Sequence, residues 1–153
     1  MKKLRRMLTL DSNVLIAALK EDERFGEKCV EIISKVPSQF ILVEPSILYQ
    51  EVCGTLARKV GIEAADQARN FLDLIIHPRL LIVCNKDFYI SAYSLCAQYN
   101  IYAIDAIYLK VALDNYAVLV SLDKEDFIDR LKNRGLPIEA YHVTDFPYQP
   151  EYM

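Results

Sequence analysis

Four short apolar runs alternate with stretches of helical periodicity, and this alternation constrains the fold more than any other feature of the chain. The runs are Met7–Leu10, Phe40–Val43, Leu80–Cys84 and Ala117–Ser121. A half-buried strand alternates apolar and polar residues, whereas a near-continuous apolar run marks a strand covered on both faces. Strands separated by helices pair in parallel. The expected architecture is therefore α/β, with a central parallel sheet in a three-layer α/β/α arrangement. Leu4 extends the first strand, and Glu139–Val143 offers a last edge strand.

The intervening segments read as helices. Asp11-Ser12-Asn13 supplies capping-type residues before Val14–Leu19. Glu23–Val36 carries Phe25, Cys29, Val30, Ile32, Ile33 and Val36 at helical spacing. Glu44-Pro45-Ser46 opens a third helix with proline in the first turn, and Gly61 closes it. Glu63–Ile76, Asp87–Tyr99, Asp105–Asp114 and Glu125–Lys132 complete the set, and the tail Pro147–Met153 is expected to be loosely held. No repeat or linker interrupts the chain, so one domain over residues 1–153 is expected.

Composition narrows the function. The 153 residues are 53% apolar with a formal net charge of −3, enough to build a core without staples and unlike a basic protein that coats nucleic acid. A site that meets phosphates through cations stays open, because its own acids contribute to the total. Cys29, Cys53, Cys84 and Cys96 contain no C-x-x-C pair and read as small buried thiols. With only His77 and His142 and no H-E-x-x-H, a histidine-based zinc site is not expected. The basic start, Met1 to Arg6, resembles a signal peptide, but Asp11 and Asn13 break the apolar stretch behind it. No run approaches the length of a membrane span, and a soluble, cytoplasmic protein is expected.

Four acids stand apart. Asp11 ends the first strand, Asp123 follows Ala-Val-Leu-Val-Ser-Leu, Asp105 opens a helix, and Glu51 projects between Ile47 and Leu48 in the apolar sector of its helix. Singly, each has a bland explanation. Aspartate is favoured at N-caps, and Asp123 followed by Asp126 has the spacing of a capping turn. Glu51 can be an edge glutamate paired with an arginine. Jointly they suggest one acidic pocket, since sites in open α/β sheets form beyond the carboxyl ends of strands. Clustered carboxylates cost free energy that a hard divalent cation relieves.

These residues resemble the motifs of PIN-domain nucleases. Leu10-Asp11-Ser12-Asn13-Val14-Leu15-Ile16 resembles the opening motif, and Glu51-Val52-Cys53-Gly54-Thr55-Leu56 the helix glutamate. Asp105-Ala106-Ile107-Tyr108-Leu109 is similar to the third motif, and Val120-Ser121-Leu122-Asp123-Lys124-Glu125-Asp126-Phe127 to the fourth, with Ser121 where threonine is commoner. The segment Asn100–Ile104 before the third motif is more apolar than usual in the family. Order and spacing hold over nearly the whole chain, and the likeness is greatest to the toxin-type subfamily of toxin–antitoxin pairs.

The resemblance implies a magnesium- or manganese-dependent endoribonuclease. Asp11, Asp105 and Asp123 would hold the metal directly or through water. Glu51 would hold metal-bound water or accept a proton from the attacking water. Asn13, Ser121 and Asp126 would support the site. Lys20, Arg24, Lys86, Lys110 and Lys124 are candidates for phosphate contacts, though surface lysines are usually only solvated. RNA substrate, a small antitoxin and a second copy of the chain are the expected partners. A phosphatase-like alternative is disfavoured because Asp11-Ser12-Asn13 lacks the second acid of a D-x-D motif. A PIN-like RNA-processing, binding or assembly module with little catalysis is the other alternative.

Overall fold

The computed structural model describes residues 5–147. Leu4 and the tail beyond Pro147 lie outside the described residues. A parallel sheet of four strands has the order β2-β1-β5-β6, formed by β1 (Arg6–Leu10), β2 (Phe40–Leu42), β5 (Val118–Ser121) and β6 (Ala140–His142). Successive residues Leu8, Thr9 and Leu10 are all fully buried, as is every residue of β5. Neighbours along a strand point to opposite faces, so both faces of the sheet centre are covered, as the apolar runs anticipate.

Helix α1 (Ser12–Leu19) and helix α6 (Ala103–Asn115) pack on β1 and β5. Helix α2 (Gly26–Ile33) rests on α1, α3 (Ile47–Lys59) on α1 and α4 (Ile62–Ile75), and α5 (Lys86–Tyr99) on α6. Gly26 allows the close approach of α2 to α1: a Cβ there would lie 3.1 Å from the Ala17 carbonyl oxygen. The core centres on Leu8, Leu10, Leu15, Leu48, Leu109 and Leu119.

Three expectations need correction. Glu44-Pro45 does not open a helix; it forms β3, paired in parallel with β4 (Leu81–Ile82) in a separate two-stranded ladder. The Ser46 N–H continues that ladder to the Ile82 carbonyl at 2.8 Å, which delays α3 to Ile47. Proline fits there because so short an edge pair asks nothing of its missing donor. The second helix is shorter at its start, because Phe25 takes a left-handed φ of 64°. Its ring meets the His142 ring edge-on at 5.3 Å, with the Arg24 guanidinium over it, and this tertiary packing overrides local helical spacing. The last predicted helix is a single π-type turn, Lys124–Ile128, followed by α7 (Asp129–Lys132).

Among the described residues, no helix is long and apolar enough to cross a membrane.

Candidate active site

The register of β1 against β5 assembles the first half of the site. Leu10 lies opposite Val120, and the Asp11 N–H donates to the Val120 carbonyl at 2.9 Å. The next residues along, Asp11 and Ser121, therefore emerge side by side at the carboxyl ends of adjacent strands. The Ser121 hydroxyl donates to Asp11 Oδ2 at 2.8 Å and accepts from the Asp123 N–H at 3.0 Å and from Asn13 Nδ2 at 3.2 Å. A hydroxyl has one donor and two acceptor sites, and all are used. Asn13 also donates to Asp11 Oδ2 at 3.3 Å and accepts from the Leu122 N–H at 3.1 Å. Asn13 and Ser121 thus lock Asp11 to the chain that carries Asp123.

Asp123 makes the capping bond its spacing suggests: Oδ1 accepts the Asp126 N–H at 3.1 Å. Asp105 is not an N-cap. Helix α6 starts at Ala103, with Tyr102 at the cap position, so Asp105 lies inside the first turn. Asp11 occupies the N-cap position of α1 but makes no side-chain capping bond. Two of the three capping explanations therefore do not describe the fold.

Glu51 enters from α3. Its Oε1 accepts a 2.6 Å hydrogen bond from the hydroxyl of Tyr108, one turn beyond Asp105 on α6. The Tyr108 ring is fully buried, and burial together with the charge of Glu51 pushes its phenol well above the usual tyrosine range. Asp126 stands at the margin, paired with Arg130 at 2.9 Å. Arg130 also donates to the Asn100 carbonyl at 2.7 Å.

The acids feel one another. Burial raises the Asp11 carboxyl to about 6, with added repulsion from Glu51 and Asp123, while the Ser121 hydrogen bond pulls it down. Burial raises Asp105 to about 7, with repulsion from Asp11, Asp123, Glu51 and Asp126. The fold therefore brings Asp11, Glu51, Asp105 and Asp123 into one electrostatic neighbourhood, with Asp126 at its edge. Among the described residues, no three His, Cys, Asp or Glu side chains already stand as a ready-made ion cage. The arrangement is an acidic cluster rather than a finished coordination sphere.

Two residues of this neighbourhood escaped the sequence reading of the site. Tyr108 orients Glu51 across 57 residues of chain. Glu44, at the mouth of β3, is wholly buried, and its Oε1 accepts the Leu10 N–H at 2.6 Å. The signal for Glu44 was present: like Asp11 and Asp123, it is an acid just past an apolar strand.

The candidate phosphate contacts fare unevenly. Lys20, Lys110 and Lys124 are engaged with Glu23, Asp114 and Asp129, and Arg24 lies over Phe25. Lys86 is exposed at the start of α5.

The fold is thus a parallel α/β domain with acids gathered beyond the carboxyl ends of its strands. Residues 8–133 match the family model of the PIN domain, and the chain belongs to the PIN domain family. Solved structures share the fold. Mycobacterium tuberculosis VapC20, described as a toxin that cleaves the sarcin–ricin loop, superposes with a TM-score of 0.65 at 14% identity, over 78% of this chain and 91% of its own. VapBC2 from Rickettsia felis, bound to a DNA fragment from their promoter, gives 0.61 at 14% identity over 89% and 98%. FitAcB from Neisseria gonorrhoeae gives 0.62 at 15% identity over 92% and 99%. No curated protein matches the sequence.

Proposed function

We propose that this chain is a divalent-metal-dependent endoribonuclease that hydrolyses RNA phosphodiester bonds, acting in the cytoplasm as the toxin of a toxin–antitoxin pair. The observation that carries the reading is the gathering of the acids: Ser121 joins Asp11 to the backbone of Asp123, Glu51 reaches Tyr108 one turn beyond Asp105, and burial, with repulsion among the acids added to it, raises the Asp11 and Asp105 carboxyls. A cation relieves that repulsion, and an all-oxygen donor set suits magnesium or manganese. Asp11, Asp105 and Asp123 would hold the ion, directly or through water. When bound, it would lower the pKa of its water and offset charge on the attacked phosphate.

The remaining roles belong to the chain itself. Asn13 and Ser121 orient Asp11. Tyr108 holds Glu51 in place to accept a proton from the attacking water or to hold a metal-bound water. Asp126, tied to Arg130, adds negative charge at the rim. Of the candidate lysines, Lys20, Lys110 and Lys124 are ion-paired, which leaves exposed Lys86 the most available to meet an RNA phosphate. The family membership and the likeness to VapC20 support nuclease chemistry. The likeness to VapBC2 supports a protein partner. Tyr89, Ile90 and Tyr93 expose an apolar face on α5, which supports a homodimer.

The test is incubation of the protein with structured RNA and magnesium, beside Asp11→Asn and an EDTA control. Cleavage by wild type alone, abolished by EDTA, is the expected result. Full activity of Asp11→Asn sinks the metal-ligand assignment. RNA left intact by wild type with magnesium favours an assembly module instead.

A further inference from the structure

Strand β2 stops supporting β1 one rung short of the site. Their pairing runs from Arg6–Phe40 to Leu8–Leu42, and the Val43 N–H donates to the Leu8 carbonyl at 3.0 Å. In a parallel ladder the next rung would take the Leu10 N–H to the Val43 carbonyl. The chain instead turns away to form β3. The Val43 carbonyl accepts the Thr9 hydroxyl at 2.8 Å, and the Leu10 N–H goes to Glu44 Oε1. On the opposite edge of β1, the Asp11 N–H is held by Val120.

We propose that Glu44 is a positioning residue for Asp11, its side-chain oxygen replacing the missing backbone acceptor where β1 delivers Asp11 to the site. The inference rests on the reading of Asp11 as a metal ligand. Glu44 is fully buried and its Oε2 has no hydrogen-bond partner. An ionised carboxylate so placed, beside Asp11, is costly, and burial with the Asp11 charge pushes the Glu44 carboxyl well above its ordinary range. Glu44 therefore acts through an oxygen at a fixed reach and not through charge. Its own backbone is anchored by the pairing with Leu81, so the strut is held at both ends. Glutamine supplies the same oxygen at the same reach. Alanine leaves the buried Leu10 N–H without an acceptor.

The experiment compares wild type, Glu44→Gln and Glu44→Ala as full chains. Manganese binding is measured by calorimetry without RNA, and exchange of the Leu10 amide by NMR. Alanine should weaken manganese binding by about 10–100-fold, the usual cost of losing a residue that orients a metal ligand. It should also speed exchange at Leu10. Glutamine should keep wild-type affinity and a protected Leu10 amide. The proposal is overturned if alanine changes neither quantity, or if glutamine recovers less than half of the logarithmic loss in affinity. If alanine does not fold, glutamine decides alone: lost affinity or an unprotected Leu10 amide refutes the strut. A wild type that binds no manganese defeats the metal reading of Asp11, while Leu10 exchange in the two variants still tests the strut by itself.

Discussion

Replacing Asp11 with asparagine should make the metal-free protein more stable at neutral and alkaline pH while removing its response to magnesium. Burial and neighbouring acids raise the Asp11 carboxyl from 3.8 to about 6. At about 1.4 kcal/mol per pH unit, the charged form is disfavoured in the folded state by about 3 kcal/mol. The sign follows from proton counting. Between about pH 4 and 6 the folded state binds more protons than the unfolded state, so stability falls as pH rises. The cost is absent below that window and complete above it. Asp105, raised to about 7, extends the decline upward. Asparagine retains an oxygen to accept from Ser121 and Asn13, carries no charge, and relieves Asp105 of one repulsive neighbour. Urea unfolding in EDTA at about pH 8 should show Asp11→Asn more stable than wild type, by up to about 3 kcal/mol. The difference should vanish near pH 4. Added magnesium should stabilise wild type alone. An Asp11→Asn protein no more stable than wild type at pH 8 would falsify the account of a strained acidic cluster.

Three further outcomes are expected. Ser121→Ala removes the hydrogen bond that pulls the Asp11 carboxyl down, so the acidic limb of the pH–cleavage profile should move to higher pH. Ser121→Thr should leave it in place, and an unmoved limb in the alanine variant denies the role of the hydroxyl. Tyr108→Phe keeps the buried ring but loses the bond to Glu51. Such a bond is worth about 1–3 kcal/mol, so cleavage should fall about 5–150-fold with the fold intact; a fully active variant shows that Glu51 needs no such support. Tyr93 is 67% exposed on the apolar face of α5. If the proposed homodimer uses this face, Tyr93→Glu should halve the mass seen by light scattering, and an unchanged mass refutes α5 as its seam.

Local chemistry made much of this molecule legible. The near-continuous apolar runs of β1 and β5 report burial on both faces, because a parallel sheet between helices has no wet side. Asp11, Ser121 and Asp123 stand out because strand ends and turn spacing are written in adjacent residues. The π-type turn after Asp123 departs from the expected helix only in its hydrogen-bond pattern. Phe25 and Glu44-Pro45 depart from their local helical signals for a common reason. Each has local signals for a helix, and each is claimed by a partner far along the chain, Phe25 by His142 and Glu44 by Leu10 and Leu81.

The sequence by itself determined which residues are acidic, which stretches must be buried, and the order in which the acids arrive. Tertiary structure alone decided that Tyr108 reaches Glu51, that Arg130 takes Asp126, and that Glu44 completes the support of β1. Periodicity and capping act over three or four residues and can be read along the chain. The raised carboxyls of Asp11 and Asp105 come from burial and from charges brought close by folding, and neither exists until the strands and helices have packed.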